Sequence, residues 1–249
     1  MPRPNEPARP DLYSRITDKI IAQLETGVRP WTQPWTASTS VSRPLRHNGE
    51  AYSGVNVLLL WAEAMARGFQ SPTWMTFRQA LALGGCVRKG ETGSTVVYAN
   101  TLARAETDES GEEQLRRIPF LKAYTVFNVE QIDGLYEGHT PPPALVVNPD
   151  SRIARVDAWF ATLGVDVRHG GGSAFYRPST DHVQMPAFDQ FRDAQSYYAT
   201  LGHECVHWTG HAARLARDFS RSTRAYAREE LVAELGAAYL CADLGLALE

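Results

Sequence analysis

The feature that most constrains this chain is a five-residue string, His203-Glu204-Cys205-Val206-His207, set in a stretch whose apolar residues recur at helical spacing. Histidines four residues apart on a helix are just over one turn apart, so both imidazoles emerge on one face and can meet one ion at about 2.0 to 2.1 Å. Glu204 stands between them in sequence and beside them in space. There it can take a proton from a water activated at the ion and hand it to a leaving group. A helix with this task must be buried on another side, and Tyr198, Leu201 and Val206 supply that side before Gly210 stops the pattern. The spacing predicts a hydrolytic metal site on a helix over about 192–209, with His203 and His207 as metal ligands and Glu204 as the catalytic group. Cys205 falls off the histidine face and is expected to pack.

A catalytic zinc needs a third protein ligand and an open fourth position. The arrangement H-E-x-x-H-x-x-G-x-x-H is followed through Gly210, but Ala213 stands where its third histidine belongs and His211 comes two residues early. The next helical stretch, about 223–243, offers Glu229, Glu230 and Glu234. Glu230 and Glu234 are one turn apart on a face that also carries Ala233 and Ala237, small residues that let two helices approach closely. This resembles the gluzincin pattern E-x-x-x-[DE], in which the first acid binds the metal and the second orients a ligating histidine from behind it. Glu230 is accordingly expected as the third ligand and Glu234 as the outer partner. Glu229 is the rival for the ligand role, and a solvated acidic helix face is the alternative to all three. His and carboxylate donors suit Zn²⁺ and also accept Mn²⁺ or Co²⁺. Tyr226 and His211 are candidates to hydrogen-bond a developing oxyanion, and the strand-like His182–Met185 is a candidate edge for an extended peptide.

The longest apolar run, Val57 to Ala62, is far short of the roughly 20 residues that cross a bilayer, and the first ten residues lack a leader's apolar segment, so no membrane partner is expected. Cys86, Cys205 and Cys241 are scattered and form no C-x-x-C pair, so neither a disulfide framework nor a cysteine-rich zinc site is suggested, and a reducing cytoplasm fits. Three consecutive prolines in 137–150 mark a linker. The expected organisation is α+β in two domains: residues 1–140, opening with a Pro-rich disordered arm over 1–10; a linker over 141–150; and a zincin-like domain over 151–249. In the first domain the spacing predicts helices over 54–67 and 73–83, then strands at 95–98 and 121–129. The second opens with a helix over 151–163.

Residues 1–140 hold 15 basic and 15 acidic residues, but five of the acids crowd into 106–113, leaving a surplus of five positive charges elsewhere. Trp31, Trp35, Tyr52 and Trp74 lie among Arg43, Arg46, Arg78, Arg88 and Lys89. Aromatic faces for stacking bases, interleaved with cations for phosphates, are what sequence-tolerant single-strand binding requires, although tryptophans at helical spacing are commonly core. The strings YSGVNVLLLW (52–61), TWMTFRQA (73–80), LGGCVRKGETG (83–93) and YTVFNVEQ (124–131), with LGHECVHWTGH and YAREELVAELGAA in the second half, resemble the ArdC antirestriction family. The first half is also similar to the N-terminal region of plasmid TraC-type primases.

The resemblance implies a plasmid-borne protein, active in conjugation, that binds single-stranded DNA without much sequence preference and protects incoming DNA from host restriction. It also implies a metallopeptidase-like second domain. The leading reading couples single-strand binding to that centre, whose target would then be a protein on or near the transferred DNA. Two alternatives remain open: a DNA-coating shield whose metal site is not catalytic, and a peptidase whose first half binds protein. The chain ends at Glu249, almost directly after the ligand-bearing helix, so it is expected to be a short or truncated form of the family.

Overall fold

The computed structural model describes residues 12–27, 43–107, 113–135, 149–220 and 222–246. The expected arm over 1–10, both Trp31 and Trp35, and the expected linker up to residue 148 lie outside them. The described residues form a two-domain α+β protein: one unit is 12–27 with 44–135, the other Arg43 with 149–246.

In the first unit, helix α1 (Leu12–Glu25) is tied by the Lys19–Glu63 ion pair to helix α2 (Val55–Arg67). Five consecutive apolar residues, Val57 to Trp61, cannot make an amphipathic stripe, and α2 buries all five. A four-stranded sheet runs in the order β1 (Leu45–Arg46), β2 (Thr73–Met75), β5 (Glu113–Asn128), β4 (Ser94–Thr107). The pair β1 and β2 is parallel, and the rest is antiparallel. The helix expected over 73–83 is shorter than the pattern suggests. Thr76 and Gln79 form a capping box, with Thr76 Oγ1 accepting from the Gln79 amide at 3.3 Å and Gln79 Oε1 from the Thr76 amide at 2.8 Å. The helix can start only after Thr76, giving α3 (Phe77–Ala82), and the buried Thr73-Trp74-Met75 fills the slot beside β5 instead. Strands β4 and β5 form a hairpin far longer than the two short strands expected. Its register runs unbroken from Ser94↔Val126 to Thr107↔Glu113. Asn56 of α2 closes the free edge of β4, donating to the Val97 carbonyl at 2.8 Å and accepting from its amide at 2.7 Å. A short ribbon of β3 (Cys86–Val87) and β6 (Ile132–Asp133) completes the unit.

The second unit sets α4 (Pro149–Ala161) and a three-stranded sheet against two long helices. Strand β9 (His182–Met185) is central, parallel to β7 (Asp166–His169) and antiparallel to β8 (Phe175–Arg177). Helix α5 (Ala194–Thr209) is capped by Asp193, whose side chain accepts from the Ser196 amide at 2.7 Å. Helix α6 (Thr223–Leu244) is capped by Ser222. Val156, Phe160, Val183, Met185, Tyr198, Leu201, Cys205 and Cys241 share one core. Cys205 therefore packs inward, and burial pushes its thiol up to about 12. Helices α5 and α6 meet closely at Gly236, where an added Cβ would lie 2.8 Å from both methyls of Val206. That approach brings the upstream turns of α6 alongside the histidine face of α5.

Candidate metal centre

His203 and His207 point their Nε2 atoms at one another, 3.2 Å apart. Glu230 of α6 completes the group, with Oε2 at 3.5 Å from His203 Nε2 and Oε1 at 3.7 Å from His207 Nε2. The carboxylate distances are too long for good hydrogen bonds. They suit a different arrangement: ligands at 2.0 to 2.1 Å around a tetrahedral ion are separated by about 3.4 Å. The donor set, two imidazoles and one carboxylate, fits a divalent cation of the zinc type with a position left open. Among the described residues this is the only group of three or more potential donors close enough to hold an ion.

His207 is oriented from behind. Its Nδ1 lies 3.1 Å from Glu229 Oε1. Arg217 grips that same carboxylate with two hydrogen bonds, Nε to Oε2 and Nη2 to Oε1, both 2.9 Å. The guanidinium also donates to the Val206 carbonyl at 2.6 Å and the Thr209 hydroxyl at 2.9 Å. Burial works to raise the Glu229 carboxyl, but the hydrogen bonds from Arg217 and His207 outweigh it and hold the group below the usual carboxylate range. An ionised Glu229 requires a proton on His207 Nδ1, which leaves Nε2 as the lone-pair donor toward the ion. The loop and helix leave little slack here: a Cβ on Gly210 would lie 2.8 Å from Arg217 Nη2.

Glu204 is buried next to this group, and burial chiefly raises its carboxyl. The charge of His203 and a hydrogen bond from the Tyr176 amide pull it down, and Glu230 pushes it up. That hydrogen bond places β8 along the site. The strand expected as a peptide edge, His182–Met185, is the central strand and has no free edge to offer, because β7 and β8 occupy both sides. Tyr226, one turn before Glu230, is exposed and hydrogen-bonds the Glu230 carboxylate, which raises its phenol.

The sequence pattern thus locates His203, Glu204, His207 and Glu230 together, but Glu234 is not their outer partner. It is exposed and makes no hydrogen bond or ion pair among the described residues. Glu229 takes that place. The clue was available: Glu229 heads the buried stripe Glu229, Ala233, Ala237, Cys241 at four-residue spacing, and Glu234 lies about 140° round the helix from it. Arg217 gave no comparable signal.

The expected DNA contacts fare differently. Tyr52 and Trp74 are core residues at 7% and 1% exposure and present no face to a base. Arg43 belongs to the second unit, ion-paired to Asp243 at 2.6 Å and lying over the Tyr239 ring. Arg46 pairs with Glu50 and lies over Tyr52, and Arg88 pairs with Glu91 and Asp133. Arg78 and Lys89 are exposed with no ion pair among the described residues.

Two histidines on one helix, an acid from the next and a buried glutamate beside them define a zincin-like metallopeptidase unit, and residues 154–249 match the family model described as zincin-like metallopeptidase. Residues 10–127 match the model for the N-terminal domain of anti-restriction factor ArdC. The chain is 46% identical over 248 residues to protein y4eC of Sinorhizobium fredii, spanning 96% of this chain and 79% of that one. It is 38% identical over 254 residues to DNA primase TraC of Escherichia coli, spanning 94% of this chain but 23% of the primase. Among solved structures, the antirestriction ArdC protein from the R388 plasmid, metal-free, superposes with a TM-score of 0.79 at 49% identity. Its Mn(II)-bound structure superposes at 0.76 and 46%, and each match covers 96% of this chain and 83% of the other. The chain belongs to the ArdC antirestriction family.

Proposed function

We propose that this protein binds single-stranded DNA without sequence preference through its first unit, and that its second unit is a zinc-dependent peptidase acting on a protein on or near incoming DNA. Together they protect that DNA from host restriction in the recipient's cytoplasm. The convergence of His203, His207 and Glu230, with Glu204 buried beside them, carries the hydrolytic part of the reading. Membership of the antirestriction family carries the biological part. No helix among the described residues is long and apolar enough to cross a membrane.

His203, His207 and Glu230 would hold the ion, zinc by donor preference, with Mn²⁺ or Co²⁺ as substitutes. The Mn(II)-bound structure of the related ArdC protein supports a divalent cation. When bound, such an ion polarises a peptide carbonyl and lowers the pKa of water. Glu204 accepts the proton of the attacking water and delivers it to the departing amine, a role suited to a carboxyl that burial raises. Tyr226, exposed at the same site, supplies a hydroxyl toward the carbonyl oxygen. Glu229 and Arg217 keep His207 in one tautomer, and the free side of β8 offers backbone groups to an extended peptide.

The test uses the whole chain loaded with zinc, an unstructured protein substrate and single-stranded DNA. Glu204→Gln should lower hydrolysis by at least about 100-fold while metal content is unchanged. Equal hydrolysis by both forms would remove the peptidase from the proposal. Antirestriction that survives Glu204→Gln in a transfer assay would assign protection to coating of the strand.

A further inference from the structure

The face of the β4–β5 hairpin that buries Val96 and Val126 at its root continues outward as a row of uncovered rings. Tyr98 stands opposite Lys122, and Phe120 and Tyr124 flank Lys122 two residues away on the same face. The Tyr98 ring centroid is 6.2 Å from Phe120 and 6.3 Å from Tyr124, and Lys122 Nζ lies 5.3 Å from the centre of Phe120. Tyr98 and Tyr124 are each 46% exposed, and Leu102, further along the same face, is 57% exposed. An apolar face of this size, kept open, marks a place where something docks.

Charge decides what docks. Lys122 lies at the centre of the rings on this face, and the sequence holds no acid in 94–105 or 115–128. In sequence, the five acids between Ser94 and Asn128 all fall within 106–113. A face of flat rings with a lysine among them and no acid matches a polyanion with aromatic faces. We propose that this hairpin face, centred on Tyr98, Phe120, Lys122 and Tyr124, is where the bases of single-stranded DNA stack. The inference rests on the single-strand reading above and gives it a location, replacing the buried Tyr52 and Trp74.

Fluorescence anisotropy with a labelled oligo-dT and the full-length protein tests it. Tyr98→Ala and Tyr124→Ala should each weaken binding roughly tenfold, and the double variant roughly 100-fold. An abasic strand, which keeps the phosphates and loses the rings, should bind the intact protein weakly and be almost indifferent to either tyrosine. Lys122→Ala should reduce the slope of log K against log salt by about 0.7. All three side chains are exposed, and circular dichroism verifies that the variants fold. If the intact protein binds oligo-dT and the double variant binds it equally well, the location is wrong although the single-strand reading stands. If the intact protein does not bind at all, both fall. If sedimentation shows a dimer that Tyr98→Ala dissociates, the face belongs to a second copy of this chain and the proposal is overturned.

Discussion

Exchanging Glu229 for glutamine separates the two outer-partner assignments that the sequence and the structure make. Glu229 is 6% exposed and receives two hydrogen bonds from Arg217 and one from His207. The substituted side-chain amide could still accept from His207, but its NH₂ would face the guanidinium. Arg217 keeps its bonds to the Val206 carbonyl and Thr209 hydroxyl, so the cost should fall at or below the low end for a broken buried pair, about 2 to 3 kcal/mol. Loss of a partner behind a ligating histidine lowers metal affinity by roughly 10- to 100-fold, or about 1.4 to 2.7 kcal/mol. Glu234→Gln, on an exposed side chain with no partner among the described residues, should leave both quantities unchanged. Zinc affinity by competition with a chromophoric chelator, together with thermal unfolding of the metal-free protein, measures both effects. A Glu229→Gln protein that binds zinc as tightly as the parent, beside a Glu234→Gln protein that does not, would refute the assignment and restore the sequence expectation.

Gly236→Ala should force α5 and α6 apart at Val206, destabilising the chain by about 1 to 3 kcal/mol and weakening zinc binding as Glu230 recedes. Calorimetry that finds an unshifted melting temperature would contradict the close approach. The Asp181 carboxyl is brought down to about 2 from 3.8, chiefly by hydrogen bonds from Arg214, one of them 3.0 Å. A depressed carboxylate contributes stability that is complete above its unfolded value and disappears as pH falls through the folded one, so this contribution should vanish between about pH 4 and pH 2. Because the pair is partly exposed, solvent screening limits it to about 1 kcal/mol. Acid unfolding curves of the parent and Asp181→Asn should therefore converge toward pH 2 and diverge above pH 4; parallel curves would show that the pair is inert.

The local chemistry of the metal centre was legible because it depends on one helix. Two histidines and a glutamate at fixed spacing share a face whatever surrounds them, whereas Glu230 came from resemblance to the gluzincin pattern, which left Glu229 as its rival. Boundaries set by a side-chain cap were harder: the apolar pattern ran through Thr76, and only its bond with Gln79 shows that the helix starts after it.

What tertiary structure decided was rotation and exposure. Whether Glu229 or Glu234 faces His207 depends on how α6 rolls against α5 around Gly236, and on a loop that delivers Arg217 from outside both helices. Tyr52, Trp74, Tyr98 and Tyr124 are alike as aromatic residues, yet the first two are buried and the last two stand exposed on the hairpin. Spacing along a chain determines which side chains share a face; which face meets solvent is set by what packs against it, and that comes from distant residues.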